Sequence, residues 1–120
     1  MVNFKCEASF YKTFDNRSEL LKKFVDVCNT VRDALSSKSP IFKSFDVDLS
    51  VDSVLRREAL KSLIAIFVDD VSNPQIVVTI AIHENTLRVY IACSILGLQQ
   101  YFNKIFKVVE DLEPEIFICG

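Results

Sequence analysis

Alternation between apolar and polar residues predicts two one-sided β-strands in the first half of the chain. In the first strand every second residue is apolar: Val2, Phe4, Cys6, Ala8 and Phe10. In the second strand the apolar positions are Phe45, Val47, Leu49 and Val51. A period of two places successive side chains on opposite faces of a strand. Each strand is therefore expected to bury one face and to leave the other face in water.

Two longer segments carry apolar residues at helical spacing. In the first segment these residues are Leu20, Leu21, Phe24, Val25, Cys28, Val31, Ala34 and Leu35. In the second they are Leu98, Tyr101, Phe102, Ile105, Phe106, Val109 and Leu112. Steps of three and four residues predict amphipathic helices. Asn16 followed by Glu19 resembles a capping box at the first helix start. The second helix is expected to begin near Ser94 and to end at Glu113-Pro114.

The remaining elements are shorter. Asp52 or Ser53 is expected to begin a short helix that reaches Leu60. Residues 63–68 fit either an extension of this helix or a buried strand, and their β-branched and aromatic side chains favour the strand. Two apolar segments, 75–83 and 87–93, flank a short polar break and predict a β-hairpin. A last short strand is expected at 115–119.

Together these elements predict one α+β domain over residues 1–120. The expected order is strand, helix, strand, short helix, three strands, helix and strand. Strands joined by tight turns pair antiparallel, so we expect a mostly antiparallel sheet with the two long amphipathic helices packed on one face. The other face is expected to be polar enough to meet water. Its predicted residues are Lys5, Glu7, Ser9, Tyr11, Asp46, Asp48 and Ser50.

Charge and glycine content exclude several classes of function. The formal net charge is −2, and the Lys and Arg residues are scattered along the chain. This distribution disfavours direct binding of nucleic acid or of an anionic membrane. Loops that hold nucleotide phosphates need glycine so that the backbone can approach the ligand closely. The chain has only two glycines, so we predict no nucleotide cofactor. No motif for another cofactor is found, and none is predicted.

The cysteines are expected to be free thiols. Residues 1–5 do not resemble the start of a signal peptide, and the longest apolar run, 63–68, is too short to span a bilayer. We therefore expect a cytoplasmic location, where thiols stay reduced. The four cysteines are far apart and contain no Cys-x-x-Cys pair. Each one falls in an apolar pattern, which favours a small buried side chain over a reactive one.

An acidic stripe is the most distinctive candidate for chemistry. Asp46, Asp48 and Asp52 share the polar side of the second strand. Their spacing resembles the start of a calcium loop, but Val51 occupies the position that requires glycine and Arg57 the position of the bidentate glutamate. We predict no metal site here. Two interpretations stay open, because the stripe either solvates an edge strand or binds a basic partner.

No catalytic site is predicted. His83 is the single histidine and lies at the predicted hairpin turn beside Glu84. A general base also needs an orienting partner and a substrate cleft, and a cysteine nucleophile needs a base or a positive setting. Neither requirement is visible in the sequence. The chain is therefore predicted not to be an enzyme.

The favoured hypothesis is a non-catalytic protein-binding domain of the inhibitor or immunity type. Such a domain would mask a basic, nuclease-like toxin through an acidic or polar sheet face. The predicted partner-binding residues are Glu7, Tyr11, Asp46, Asp48, Asp52, Asp69 and Asp70. Charge reversal at Asp46 and Asp48 is expected to reduce partner capture without unfolding the chain.

Two alternatives accompany this hypothesis. One is a small-molecule sensor or small enzyme with a pocket between sheet and helices, lined by Tyr90, Tyr101, His83 and a cysteine. The other is a homodimer completed through the apolar segments 63–68 and 75–82. A pocket would require polar groups that converge on one cavity, whereas a dimer would require an apolar strand that a second copy can cover.

Overall fold

A computed structural model of the chain describes residues 4–35 and 62–120. The elements in chain order are β1 (Cys6–Thr13), α1 (Arg17–Leu35), β2 (Ser62–Val68), β3 (Ile76–His83), β4 (Thr86–Cys93), α2 (Ile95–Val109) and β5 (Glu113–Cys119). This order confirms the α+β prediction for the described residues, and β2 confirms the strand interpretation of 63–68. The predicted strand that carries Asp46, Asp48 and Asp52, and the short helix after it, lie outside the described residues.

The described strands form one antiparallel sheet in the order β2-β3-β4-β1-β5. The β3–β4 hairpin turns through Glu84 and Asn85, since His83 pairs with Thr86. Glu84 has a φ of 55°, a left-handed conformation that is common in tight hairpin turns. The carbonyl oxygen of Asn85 accepts the backbone N–H of Phe14 at 2.9 Å, which ties the turn to the chain just before α1.

Both helices pack on the same face of the sheet. On β1, β3 and β4 the residues of this face are buried except Lys12, which is exposed. The buried ones are Cys6, Ala8, Phe10, Ile76, Val78, Ile80, Ile82, Leu87, Val89, Ile91 and Cys93. The helices contact this face and each other. Their buried residues are Leu20, Leu21, Phe24, Val25, Val27, Cys28, Val31 and Leu35 on α1, and Gly97, Ile105, Val108 and Val109 on α2. Among the described helices, none has the length and apolar character needed to cross a bilayer.

Both helix starts have a polar cap, which the sequence predicts for Asn16, while for the second helix it predicts only a start near Ser94. The side-chain oxygen of Asn16 accepts the backbone N–H of Ser18 at 2.8 Å and that of Glu19 at 3.3 Å. At the start of α2 the hydroxyl of Ser94 accepts the backbone N–H of Gly97 at 3.0 Å. These bonds satisfy N–H groups that have no partner within the helix, which explains why each helix begins where it does.

The loop before β3 lies against the first turn of α2. The carbonyl oxygen of Gln75 accepts the backbone N–H of Ser94 at 2.9 Å. The same oxygen would lie 2.1 Å from a Cβ built on Gly97. Contact at that distance is impossible, so the absence of a side chain at Gly97 is what lets the helix start this close to the loop.

The prediction of four free thiols is wrong for two of the cysteines. Cys6 and Cys119 form a disulfide between β1 and β5, whereas Cys28 and Cys93 are free and buried. Cys119 is also exposed, not buried as its apolar pattern suggested. The physical reason is the strand pairing, because β1 and β5 are neighbours with Cys6 directly opposite Cys119 at a Cα–Cα distance of 4.1 Å.

The sheet face opposite the helices, which we call the outer face, is only partly polar. Glu7, Ser9 and Tyr11 lie on it as predicted. On β2 and β3, however, this face carries mostly apolar residues, which are Ile64, Ile66, Val68, Val77 and Ala81, together with Thr79. Ile64 is 50% exposed. The prediction that this face is polar enough to meet water is therefore wrong for β2 and β3, and its charged residues are concentrated on β1, β4 and β5.

Candidate functional site

Polar and aromatic side chains of three neighbouring strands meet on the outer face. The register places Tyr11 of β1 between Arg88 of β4 and Glu113 of β5. The next row places Ser9 beside Tyr90. We call this group the outer-face patch, and its residues are Glu7, Ser9, Tyr11, Arg88, Tyr90, Glu113 and Glu115. Side chains that lie opposite one another on paired strands are close enough to contact, so the patch is continuous.

An irregularity in β5 brings Glu115 into the patch. Ser9 pairs with Ile116 but Phe10 pairs with Pro114, so Glu115 is an extra residue on β5. Such a β-bulge redirects side chains relative to the regular alternation. The Ser9 hydroxyl donates a hydrogen bond to Glu115 Oε2 at 2.8 Å. Ser9 is buried, and this bond satisfies its hydroxyl.

Glu115 also holds Arg88 in a fixed position. Arg88 Nη2 lies 2.8 Å from Glu115 Oε1, and Arg88 Nε lies 3.3 Å from both carboxylate oxygens. The guanidinium carbon lies 5.8 Å from the centre of the Tyr11 ring, within the range of a cation–π contact. The side chains are 56% and 26% exposed for Arg88 and Glu115. The patch thus presents an arginine whose geometry is set before any partner arrives.

The two tyrosines of the patch act as hydrogen-bond donors. A hydrogen bond to Glu113 and the charge of that carboxylate raise the pKa of Tyr11 above its ordinary value. A hydrogen bond to Glu7 and partial desolvation raise the pKa of Tyr90. A raised pKa keeps the phenol protonated at neutral pH. Both hydroxyls therefore orient neighbouring glutamates and do not serve as bases.

The Arg88–Glu115 pair should make stability depend on acidic pH. Hydrogen bonds from Arg88 and Ser9 lower the pKa of Glu115 below its ordinary value of 4.5. The folded state thus favours the ionised carboxylate, and this stabilisation is present above the unfolded pKa and is lost as pH falls through the folded pKa. Glu115→Gln should therefore lower the free energy of unfolding at neutral pH, and the difference should vanish in strong acid. Urea unfolding as a function of pH measures it.

The control for this prediction is Glu110→Gln, which changes an exposed glutamate on the helical side of the sheet. Its curve should run parallel to that of the wild type across the acidic range. A Glu115→Gln curve that stays parallel to the wild type as well would show that the pair contributes nothing to the pH dependence.

The structure gathers two of the predicted partner-binding residues and leaves Asp69 and Asp70 apart, while Asp46, Asp48 and Asp52 lie outside the described residues. Glu7 and Tyr11 both belong to the outer-face patch. Asp69 and Asp70 follow β2 at the far edge of the sheet, and the row of Glu7 reaches Val68 only after crossing two strands. Three strand spacings amount to about 14 Å, so these aspartates do not extend the patch.

Asp69 is buried in the loop between β2 and β3, where its carboxylate binds the backbone. It is 3% exposed, and its carboxylate accepts the backbone N–H groups of Gln75 at 2.9 Å and Ile76 at 3.2 Å. Burial and the nearby Asp69 carboxylate raise the pKa of Tyr101 on α2. Asp69 thus stabilises the loop before β3 against α2, and the expectation that it lies on an exposed acidic surface is wrong.

The residues of the small-molecule alternative do not converge. Tyr90 lies on the outer face, His83 at the hairpin, and Tyr101 on α2 near Asp69. A groove of about 440 Å³ lies instead between α1 and α2, and its lining includes Lys23, Asp26, Lys104, Lys107, Glu110 and Asp111. Both signs of charge are present there, and Lys23 is already bonded to Asp111 at 2.8 Å. The pocket predicted from the sequence is therefore not formed by these residues.

Five members of the patch are not among the predicted partner-binding residues: Ser9, Arg88, Tyr90, Glu113 and Glu115. The available signal was the alternation in β4, which places Arg88 and Tyr90 on its polar side. That alternation does not show which strand lies next to β4.

Searches of this chain against protein-family models, curated proteins and solved structures return no match.

Proposed function

We propose that this chain is a non-catalytic protein-binding domain that contacts its partner through the outer-face patch. The observation that carries the proposal is Arg88, held by Glu115 and stacked near Tyr11 before binding. Tyrosine and arginine are the residue types that contribute most binding energy in protein interfaces. Fixing them in advance lowers the conformational entropy lost when a partner binds.

The surroundings of the patch suit a protein partner. Ile116 and Ile118 of β5 are 40% and 60% exposed and lie on the same face. Interfaces combine apolar residues with a polar rim, and the outer-face patch together with these two isoleucines supplies both. A rigid sheet also keeps the contact residues in place, because backbone hydrogen bonds join β5 to β1 and β1 to β4.

The finer form of the proposal is an inhibitor or immunity-type protein that masks a basic, nuclease-like toxin. The patch contains three glutamates against one arginine, and Arg88 is already paired with Glu115. The carboxylates of Glu7 and Glu113 thus give the surface an acidic character. Opposite charge steers association and favours a basic partner over others. The cytoplasmic location expected from the sequence stays part of this proposal.

Charge reversal tests the proposal directly. Glu7→Lys combined with Glu113→Lys should weaken binding of a basic partner by about tenfold or more, because like charges across an interface are costly. The partner is first identified by mass spectrometry after capture on the immobilised wild-type chain. It is then purified, and its dissociation constant is measured against wild type and variant at two salt concentrations.

The control is Glu110→Lys, a single charge reversal at the residue directly after α2, which carries half of the charge change of the double variant. It should bind like the wild type, and the affinity of the wild type should fall as salt rises. Hydrogen exchange of the complex should show protection in β1, β4 and β5. Equal loss of binding in Glu110→Lys, or full binding by the double variant, would contradict the proposed surface. A shift of the free chain to a dimer, with the same protection, would replace the partner by a second copy.

A further inference from the structure

Three of the four cysteines lie in one row across the sheet. Cys6 of β1 pairs with Cys93 of β4 on one side and with Cys119 of β5 on the other. Directly opposite residues of antiparallel strands point to the same face. Cys6 and Cys93 are each 2% exposed beneath the helices. The row therefore places a free thiol next to the inner sulfur of a disulfide.

The two sides of Cys6 differ in backbone geometry but both permit a disulfide. The backbone N–H of Gly120 donates to the carbonyl oxygen of Lys5 at 3.0 Å, so Cys6 and Cys119 form a non-hydrogen-bonded pair, in which side chains are closest. The pair with Cys93 is then the hydrogen-bonded type, with a typical Cα–Cα distance of about 5.5 Å. That distance lies within the range that disulfides span.

The two possible partners of Cys6 have opposite environments. Cys93 ends β4 directly before α2 and is buried, and this burial raises the pKa of its thiol. Cys119 is exposed on β5, the last strand of the described sheet. A disulfide shared with Cys119 joins β5 to β1, whereas one shared with Cys93 would lie wholly in the interior and leave a thiol at the sheet edge.

We propose that Cys93, Cys6 and Cys119 form a thiol–disulfide exchange site, in which the disulfide moves from the Cys6–Cys119 pair to the Cys6–Cys93 pair. The Cys93 thiol gives its proton to solvent, and its sulfur attacks Cys6 Sγ. The Cys6–Cys93 bond forms while the Cys6–Cys119 bond breaks. The electron pair of the broken bond leaves on Cys119 Sγ, which takes a proton from solvent. The step is an isomerisation with no net oxidation.

The exposed Cys119 sulfur is the reactive end of this site. As a thiolate it attacks a small disulfide of the glutathione class, forming one mixed disulfide and releasing one thiolate that carries the electron pair. In a reducing compartment, disulfides are mostly catalytic or redox-sensing, which agrees with exchange as the role of this bond. The inference does not depend on the proposed protein partner, so either can fail without the other.

Peptide mapping of the oxidised wild-type chain tests the exchange. Trypsin places each cysteine in a separate peptide, and these peptides are 6–12, 24–32, 89–104 and 108–120. The folded protein is incubated at mildly alkaline pH with N-ethylmaleimide, quenched in acid and digested without reduction. We expect a linked pair of peptides 6–12 and 89–104, together with peptide 108–120 alkylated at Cys119. A second sample with oxidised glutathione should carry glutathione at Cys119.

Two variants separate exchange from simple opening of the bond. Cys93→Ala should lose the alkylation of Cys119, whereas Cys28→Ala, which removes the other buried free thiol, should keep it. Circular dichroism confirms that each variant is folded. A wild-type peptide map that contains only the Cys6–Cys119 linkage would overturn the proposal. It would also be overturned if Cys119 were alkylated in Cys93→Ala to the same extent as in the wild type. The wild-type map decides the question even where a variant fails to fold.

Discussion

Gly97→Ala is expected to lower the free energy of unfolding by about 3 kcal/mol, the upper range for overpacking a rigid interior. The added Cβ would lie 2.1 Å from the carbonyl oxygen of Gln75 and 2.8 Å from its carbonyl carbon. Both atoms are backbone, so no side-chain rotation can relieve the contact. The first turn of α2 would have to move away and would lose the bond from Ser94 N–H to Gln75.

Helix propensity alone gives the opposite result for this substitution. Alanine is favoured over glycine inside a helix by about 1 kcal/mol, so a stabilised variant would show that α2 starts farther from the loop. Gln99→Ala on the exposed side of the same helix is the control, and it should change stability by less than about 0.5 kcal/mol. Urea unfolding followed by far-ultraviolet circular dichroism gives both values.

Cys119→Ala is expected to cost about 4 kcal/mol of stability, within the range for removal of a native disulfide. The bond joins residues separated by 113 positions. A cross-link that closes so long a loop restricts the unfolded chain strongly, and the chain-entropy model gives about 4.7 kcal/mol for a loop of about 100 residues. Domains of this size have about 5–15 kcal/mol in total. The bond is therefore expected to supply a large part of the stability.

Chemical reduction of the wild type provides the control for this prediction. Cys119 is exposed, so its truncation removes little core packing and the variant should unfold at the same urea concentration as the reduced wild type. Both samples are kept in reductant, so that Cys6 cannot pair with Cys93 in the variant. If the oxidised wild type unfolds at the same urea concentration as the reduced wild type and the variant, then β5 is held by its hydrogen bonds and packing alone.

The helices could be predicted closely because their signals are local. Apolar residues at steps of three and four, such as Leu21, Phe24 and Cys28, identify the buried side of α1 without knowledge of its neighbours. Asn16 and Ser94 likewise bond to backbone groups within three residues. The strand at 63–68 could also be predicted from local residues, because its β-branched side chains favour a strand over a helix.

The site could be predicted only in part because it depends on strand order. Glu7 and Tyr11 were identified from their own alternation, yet Arg88 and Glu115 join them only because β4 and β5 flank β1. The extra residue in β5 has no separate sequence signal, since Glu115 would otherwise alternate like its neighbours. The Cys6–Cys119 disulfide also depends on strand order. It could not be predicted, because the two cysteines lie 113 positions apart in sequence.

The outer face of β2 and β3 was misjudged for a different reason. Residues 75–83 are rich in Ile and Val on both faces, and the structure places their strand, β3, in the interior of the sheet. The face opposite the helices is nevertheless predicted to be polar, because its expected residues are taken only from the first strand and the 44–52 segment. A strand that is apolar on both sides does not reveal which of its faces meets water.

The position of β1 has a consequence for synthesis on the ribosome. This strand is the first described element to be made, yet both of its sheet neighbours, β4 and β5, are made near the end. An emerging chain can form α1 and the β3–β4 hairpin from nearby residues, but β1 lacks its second partner until residue 119 has been added. Folds dominated by such distant pairings form slowly, and an unpaired strand edge favours aggregation meanwhile. Among the described strands, β1 therefore waits longest for its sheet neighbours.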